Sequence, residues 1–227
     1  MAKVLERRKT AHDSGQRRET AEPVAVEAEP PGETEHAEHE EHQEHEEHDR
    51  EIYERYQEEC DRWPDRKVEI VNGRIVVTEM ATINHARIIF RLLRQLLSVA
   101  AERDWEVLSG VKIFFGAQKD RYVPDLIVLP GEPETWDQDN VYADEALLVV
   151  EVVSPSSVHD DHVIKPRTCA EANVPLYMVV DTFEGEVRLL SRPGEQGYGC
   201  TVSVVIGEPL ELPEPWSITV DTGQLKR

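Results

Sequence analysis

The chain has 227 residues, of which 46 are acidic and 25 basic, for a formal net charge of −21 at neutral pH. A bare phosphate backbone repels such a chain at long range, so a simple charge-driven nucleic-acid binder is excluded and only a locally basic or metal-bridged site remains open. No apolar run approaches the eighteen or so residues of a membrane span, and the basic start MAKVLERRKT leads into no apolar signal core. Cys60, Cys169 and Cys200 are odd in number and show no C-x-x-C spacing, which argues against a disulfide framework or a zinc knot and fits a reducing cytoplasm.

Residues 1–62 read as an acidic tail and residues 63–227 as the folded domain. The tail holds almost no large apolar residue, so up to about residue 33 it buries too little surface to offset chain entropy. From 35 to 62 it reads as partly helical. His36, His39, His42, His45 and His48 recur every third residue there, a stripe that a soft metal or a proton would recognise, although a low-complexity solubilising run explains it more simply. The Trp63-Pro64 step marks the boundary.

Residues 68–77 form a hairpin across Asn72-Gly73, a strong type I′ signal. An amphipathic helix follows over 82–103, with Ile88, Leu92, Leu96 and Val99 on its buried face and Arg87, Arg91 and Arg94 on the other, where they are candidate contacts to nucleic-acid phosphates. Strands are predicted in WEVLSGVKIFFGA, RYVPDLIVLP and ALLVVEVVSP, the last two with the near-continuous apolar runs of strands buried on both faces. A short helix near 166–172, a strand VPLYMVVD, a hairpin through Gly185 and two further β-runs complete a mixed α+β domain with the long helix on a central sheet.

Two acids stand where apolar residues belong. Asp125 interrupts VPDLIVL and Glu151 interrupts ALLVVEVV. A buried carboxylate must find a cation or hydrogen bonds, or keep its proton. A strand cap or an arginine partner such as Arg121 would serve one of them; two in successive strands suit a shared divalent cation. Lys165 follows in the segment SPSSVHDDHVIKPR, at the mouth of the short helix, where an ammonium orients an attacking water. Glu69 and His85 are second-rank candidates, each with a simpler alternative as a cross-strand partner of Arg74 and as a helix-terminal polar residue. Asp161 caps the short helix or orients Lys165.

Pro124-Asp125, Glu151-Val152-Val153 and a nearby lysine resemble the PD-(D/E)XK nuclease superfamily. The order VEIVNGRIVV, NHARIIFRLL, RYVPDLIVL, LLVVEVVSPSSVHDD, Lys165 and AEANVPLYMVVD is similar to the Uma-two family of restriction endonucleases, over about residues 67–182. The resemblance implies a restriction-endonuclease-like fold and phosphodiester hydrolysis of DNA dependent on Mg²⁺ or Mn²⁺. It implies Asp125, Glu151 and the Val152 carbonyl as ligands, Lys165 at the attacking water, and a homodimer where both strands are cut. The chain departs from the superfamily in placing Val153 where the lysine usually stands, and it carries Pro166 directly after Lys165 and Asn173 in place of an expected glycine. A non-catalytic binding or regulatory module on the same fold is the alternative that the acidity favours.

Overall fold

The computed structural model describes residues 33–79, 81–116, 119–138 and 140–226, with side chains from residue 47. The expected disorder before residue 33 and the side chains of His36, His39, His42 and His45 lie outside the described residues. The chain divides into two units, Met1–His42 and Gln43–Arg227. Helix α1 (Glu33–Arg62) spans the division. Within the second unit its Tyr56 is buried in a small cluster with Val68 and Ile70. A domain boundary at residue 62 would cut that cluster, so the last turns of the helix belong to the folded unit.

Strands β1 (Lys67–Val71) and β2 (Arg74–Thr78) form the expected hairpin, with Asn72 and Gly73 both at positive φ as a type I′ turn requires. Helix α2 (Ile83–Glu102) starts at Thr82, whose hydroxyl accepts from the His85 N–H. The remaining β-segments correct the reading of one central sheet. The run predicted around residue 110 splits into β3 (Trp105–Leu108) and β4 (Lys112–Phe115) at Gly110, which has positive φ. The next splits into β5 (Asp120–Tyr122) and β6 (Leu126–Pro130) around Pro124, which has no N–H to give a ladder. At each break the chain changes sheet. With β7 (Asn140–Tyr142), the first sheet runs β2-β1-β5-β4-β7. With β8 (Leu148–Val152), β9 (Leu176–Asp181), β10 (Glu186–Ser191) and β11 (Cys200–Val205), the second runs β11-β10-β9-β8-β6-β3. A ribbon of β12 (Pro209–Leu212) and β13 (Ile218–Asp221) follows.

The six-stranded sheet is covered on both faces, which is why β6 and β8 read as near-continuous apolar runs. Leu126, Val128, Leu148, Val150 and Met178 face Ile88, Leu92 and Leu96 of α2. Ile127, Leu129, Val149 and Tyr177 face Ile113, Phe115 and Tyr122 of the other sheet. Glu151 follows Val149 by two residues and shares this inner face, so its carboxylate enters the space between the sheets.

The parallel strands β8 and β9 are joined by a helical crossover. It contains a π-helical turn (Asp160–Ile164) and then α3 (Lys165–Glu171). Lys165 therefore does not stand at the helix mouth; helical backbone begins before it, at Val158. Its own N–H reaches back five residues to the Asp160 carbonyl.

Candidate active site

Several segments of the chain bring the chemistry together. β1 presents Lys67 and Glu69 on one face, because strand side chains alternate. The β5–β6 sheet change leaves Asp125 just outside β6, opposite the end of β8 that carries Glu151. The π-turn and the start of α3 bring Asp161 and Lys165 over the same point, and the first turn of α2 adds His85.

The Lys165 ammonium lies 2.7 Å from Glu151 Oε1, 3.2 Å from Asp161 Oδ1 and 3.3 Å from Glu69 Oε1. Lys67 Nζ lies 3.5 Å from Glu151 Oε2, 3.7 Å from Glu69 Oε2 and 3.9 Å from Asp125 Oδ1. Asp125 Oδ2 accepts from the Val152 N–H at 2.8 Å and lies 3.1 Å from His85 Nε2. The Asp125 N–H in turn donates to Glu151 Oε2 at 3.3 Å. Glu69 Oε1 accepts from the Val123 N–H at 2.8 Å. Four carboxylates, two ammoniums and an imidazole thus form one connected cluster.

Crowded buried acids set the electrostatics. Burial, then repulsion from Asp161 and Asp125, pushes the Glu151 carboxyl up to about 8 against the attraction of Lys165 and Lys67. Asp161 is raised for the same first reason, burial. Burial acts upward on Asp125 too, but the His85 hydrogen bond, the Lys67 charge and the Val152 N–H outweigh it and hold this carboxyl below its ordinary value. Lys165 is held well above the usual lysine value, its burial overcome by Glu151, Glu69 and Asp161.

The cluster forms the wall of a cavity of about 900 Å³, lined also by Thr82, Ser154 and Phe183. Among the described residues no three His, Cys, Asp or Glu side chains converge as a ready-made metal cage. Magnesium does not need one: it keeps several waters and takes one or two carboxylates. Asp125 and Glu151 supply hard oxygen donors, and Lys67 already places positive charge between them. The cluster still carries more carboxylates than ammoniums, so the residues present fit a divalent cation.

All the expected candidates except the arginines meet at this point. Glu69 pairs in register with Val76, and Arg74 turns instead to Asp160, at 2.9 Å. Its alternative reading as a partner of Arg74 is therefore replaced. His85 is both helix-terminal and within the site. Arg121 partners neither buried acid; it stacks on Tyr53 and Phe114. Arg87, Arg91 and Arg94 do not line the cavity. Arg91 donates to the carbonyls of Gln224 and Lys226, and Arg94 lies over Phe90. The sequence reading missed Lys67. Its signal is the period of two in KVEIV, which puts an acid and a lysine on the face opposite Val68 and Ile70.

Comparisons with known proteins agree with this architecture. An uncharacterized protein of Synechocystis is 25% identical over 150 residues, covering 64% of this chain and 82% of its own length. A crystal structure described as a putative nuclease belonging to DUF820 from Anabaena variabilis superposes with a TM-score of 0.58 at 17% identity, covering 70% of this chain and 88% of its own. At that identity the likeness concerns the fold. Residues 53–221 match the model of the Uma2 family, described as "Putative restriction endonuclease", and the chain belongs to that family.

Proposed function

We propose that this protein is a metal-dependent nuclease that hydrolyses phosphodiester bonds of DNA at the Asp125–Glu151 cluster. The observation that carries the reading is the meeting of two carboxylates from separate segments with two lysines in the wall of one cavity. Asp125 and Glu151, with the backbone of Val152, would hold Mg²⁺ or Mn²⁺. When bound, the cation supplies Lewis acidity toward a phosphoryl oxygen.

The chain's own residues do the positioning. The Val152 N–H and His85 fix one oxygen of Asp125 and leave the other toward Lys67. Lys165 holds Glu151 Oε1, so it acts on an attacking water through Glu151. Glu69 and Asp161 hold Lys165 in turn. Such prearranged charge is effective because it needs no reorganisation during reaction. The family description and the nuclease-like fold support the same reading.

The test is cleavage of supercoiled plasmid and of a single-stranded oligonucleotide in Mg²⁺ or Mn²⁺ by the full chain. Metal-dependent nicking that drops at least about 100-fold in Asp125→Ala and in Glu151→Ala is expected, the size of loss typical of a group acting in the transition state. Cleavage by wild type that persists in both variants would place the activity elsewhere. A wild type inert on all substrates in both metals would overturn the reading.

A further inference from the structure

The two lysines of the cluster are not equivalent. Lys165 is enclosed, its side chain only 3% exposed. Its ammonium donates to Glu151 Oε1 and lies within 3.3 Å of Asp161 Oδ1 and Glu69 Oε1, so it is packed among three carboxylates. Lys67 stands differently. Its side chain is 23% exposed, and its nearest carboxylate oxygens lie at 3.5 to 3.9 Å. Charge-assisted hydrogen bonds close to about 2.7–2.9 Å, so Lys67 is held by attraction without its donors being committed. It lines the cavity beside Asp125 and His85.

We propose that Lys67 is the ammonium that meets the substrate phosphate, so the working lysine of this chain comes from the first strand of the N-terminal hairpin and Lys165 is its buried anchor. The inference rests on the nuclease reading and names the group that touches the substrate within it. In the hydrolysis, a water oxygen bonds to phosphorus while the ester P–O bond breaks, its electron pair leaving with the departing oxygen. One water proton ends on that oxygen and the other on the phosphate product or solvent. Lys67 donates hydrogen bonds to a non-bridging oxygen as charge builds there and ends the step unchanged. A flexible point charge suits this task, because the phosphate arrives from the cavity while the carboxylates stay fixed.

Two measurements on the full chain test this. The first is single-turnover and steady-state cleavage of a single-stranded oligonucleotide in Mn²⁺. The second is binding of the same oligonucleotide in Ca²⁺ by fluorescence anisotropy across a salt series. Lys67→Met is expected to lower kcat/KM about 100-fold or more, as for loss of a charged donor to the reacting phosphate. It should also reduce the slope of log affinity against log salt by about 0.7, the share of one phosphate on a single strand. Lys165→Met is expected to lower the melting temperature and leave that slope unchanged. Should Lys67→Met fail to fold, Lys67→Gln keeps a donor among the carboxylates, drops the charge and is read by the same two measurements.

Wild-type cleavage with a Lys67 variant that cleaves and binds like wild type sinks this inference and leaves the nuclease reading standing. No cleavage, but oligonucleotide binding whose salt slope falls in the Lys67 variant, sinks the nuclease reading and keeps Lys67 as the phosphate contact. Neither cleavage nor binding overturns both.

Discussion

Asp181 shows how one carboxylate at a strand end supports the site without entering it. Its Oδ1 accepts from the N–H groups of Phe183 and Glu184, and its Oδ2 lies 2.9 Å from His162 Nε2. His162 directly follows Asp161, so this contact ties the π-turn to the end of β9. Burial pushes the Asp181 carboxyl up, but the Glu184 N–H, His162 and the Phe183 N–H together bring it below its ordinary value. A depressed native value means that the unfolded chain takes up the proton first as pH falls. The stabilisation is therefore complete above the unfolded value, about 4, and is lost as pH falls through the lower native one. Asp181→Asn is expected to flatten the dependence of melting temperature on pH below about 4, measured by thermal circular dichroism. An unchanged acid slope would remove Asp181 from the account. Asp125 and Glu151 were legible in the sequence because an acid inside an apolar run is costly and must be explained. Glu69 ranked only second and Lys67 was missed, because alternating polar residues in a strand are also what a solvent-facing edge looks like. Only the second sheet layer, invisible in β1 itself, turns that face inward.

The crossover between β8 and β9 explains how a proline directly after Lys165 is tolerated. A proline inside an α-helix removes one hydrogen bond and clashes with the preceding turn. Here the π-turn widens the helix just before Pro166, and the Lys165 N–H already bonds five residues back. The Asp161 carbonyl, five residues before Pro166, receives instead the hydroxyl of Tyr177, at 3.2 Å from the buried face of β9. That bond fixes the backbone of the residue whose carboxylate holds Lys165. Tyr177→Phe leaves a buried carbonyl without this donor and is expected to cost about 1–3 kcal/mol in urea unfolding. In the Pro166→Ala background residue 166 regains an N–H, and the cost of Tyr177→Phe should shrink; equal costs in both backgrounds would show that the two groups are uncoupled. At this scale the hairpin, α2 and β9 follow from their local patterns. The two sheets do not, because a strand that changes sheet keeps its apolar character on both sides of the break. Only Gly110 and Pro124 punctuate it.

Charge and packing divide the whole molecule unevenly. Residues 1–50 carry 15 acids and 7 bases, and yet the last turns of α1 take part in the core. Tyr56 is 1% exposed, and Ile52 and Cys60 pack on the same cluster of Val68 and Ile70. These two residues lie on the face of β1 opposite Lys67 and Glu69, so the helix covers the back of the strand that supplies half of the cationic site. The family match begins at residue 53, within these turns. No helix among the described residues is long and apolar enough to cross a membrane. Two truncations separate the acidic segment from the packed one. Removing residues 1–42 takes away none of the side chains of this cluster, and its melting temperature is expected to match that of the full chain. Removing residues 1–62 uncovers Val68 and Ile70 and deletes a buried tyrosine, whose loss alone costs about 3–5 kcal/mol by the usual size of large aromatic truncations. The shorter form should therefore melt well below the full chain and lose cleavage together with its fold, because β1 carries Lys67 and Glu69 on its other face. Equal melting temperatures for both truncations would show that α1 covers the strand without stabilising it, and would move the start of the folded unit to residue 63.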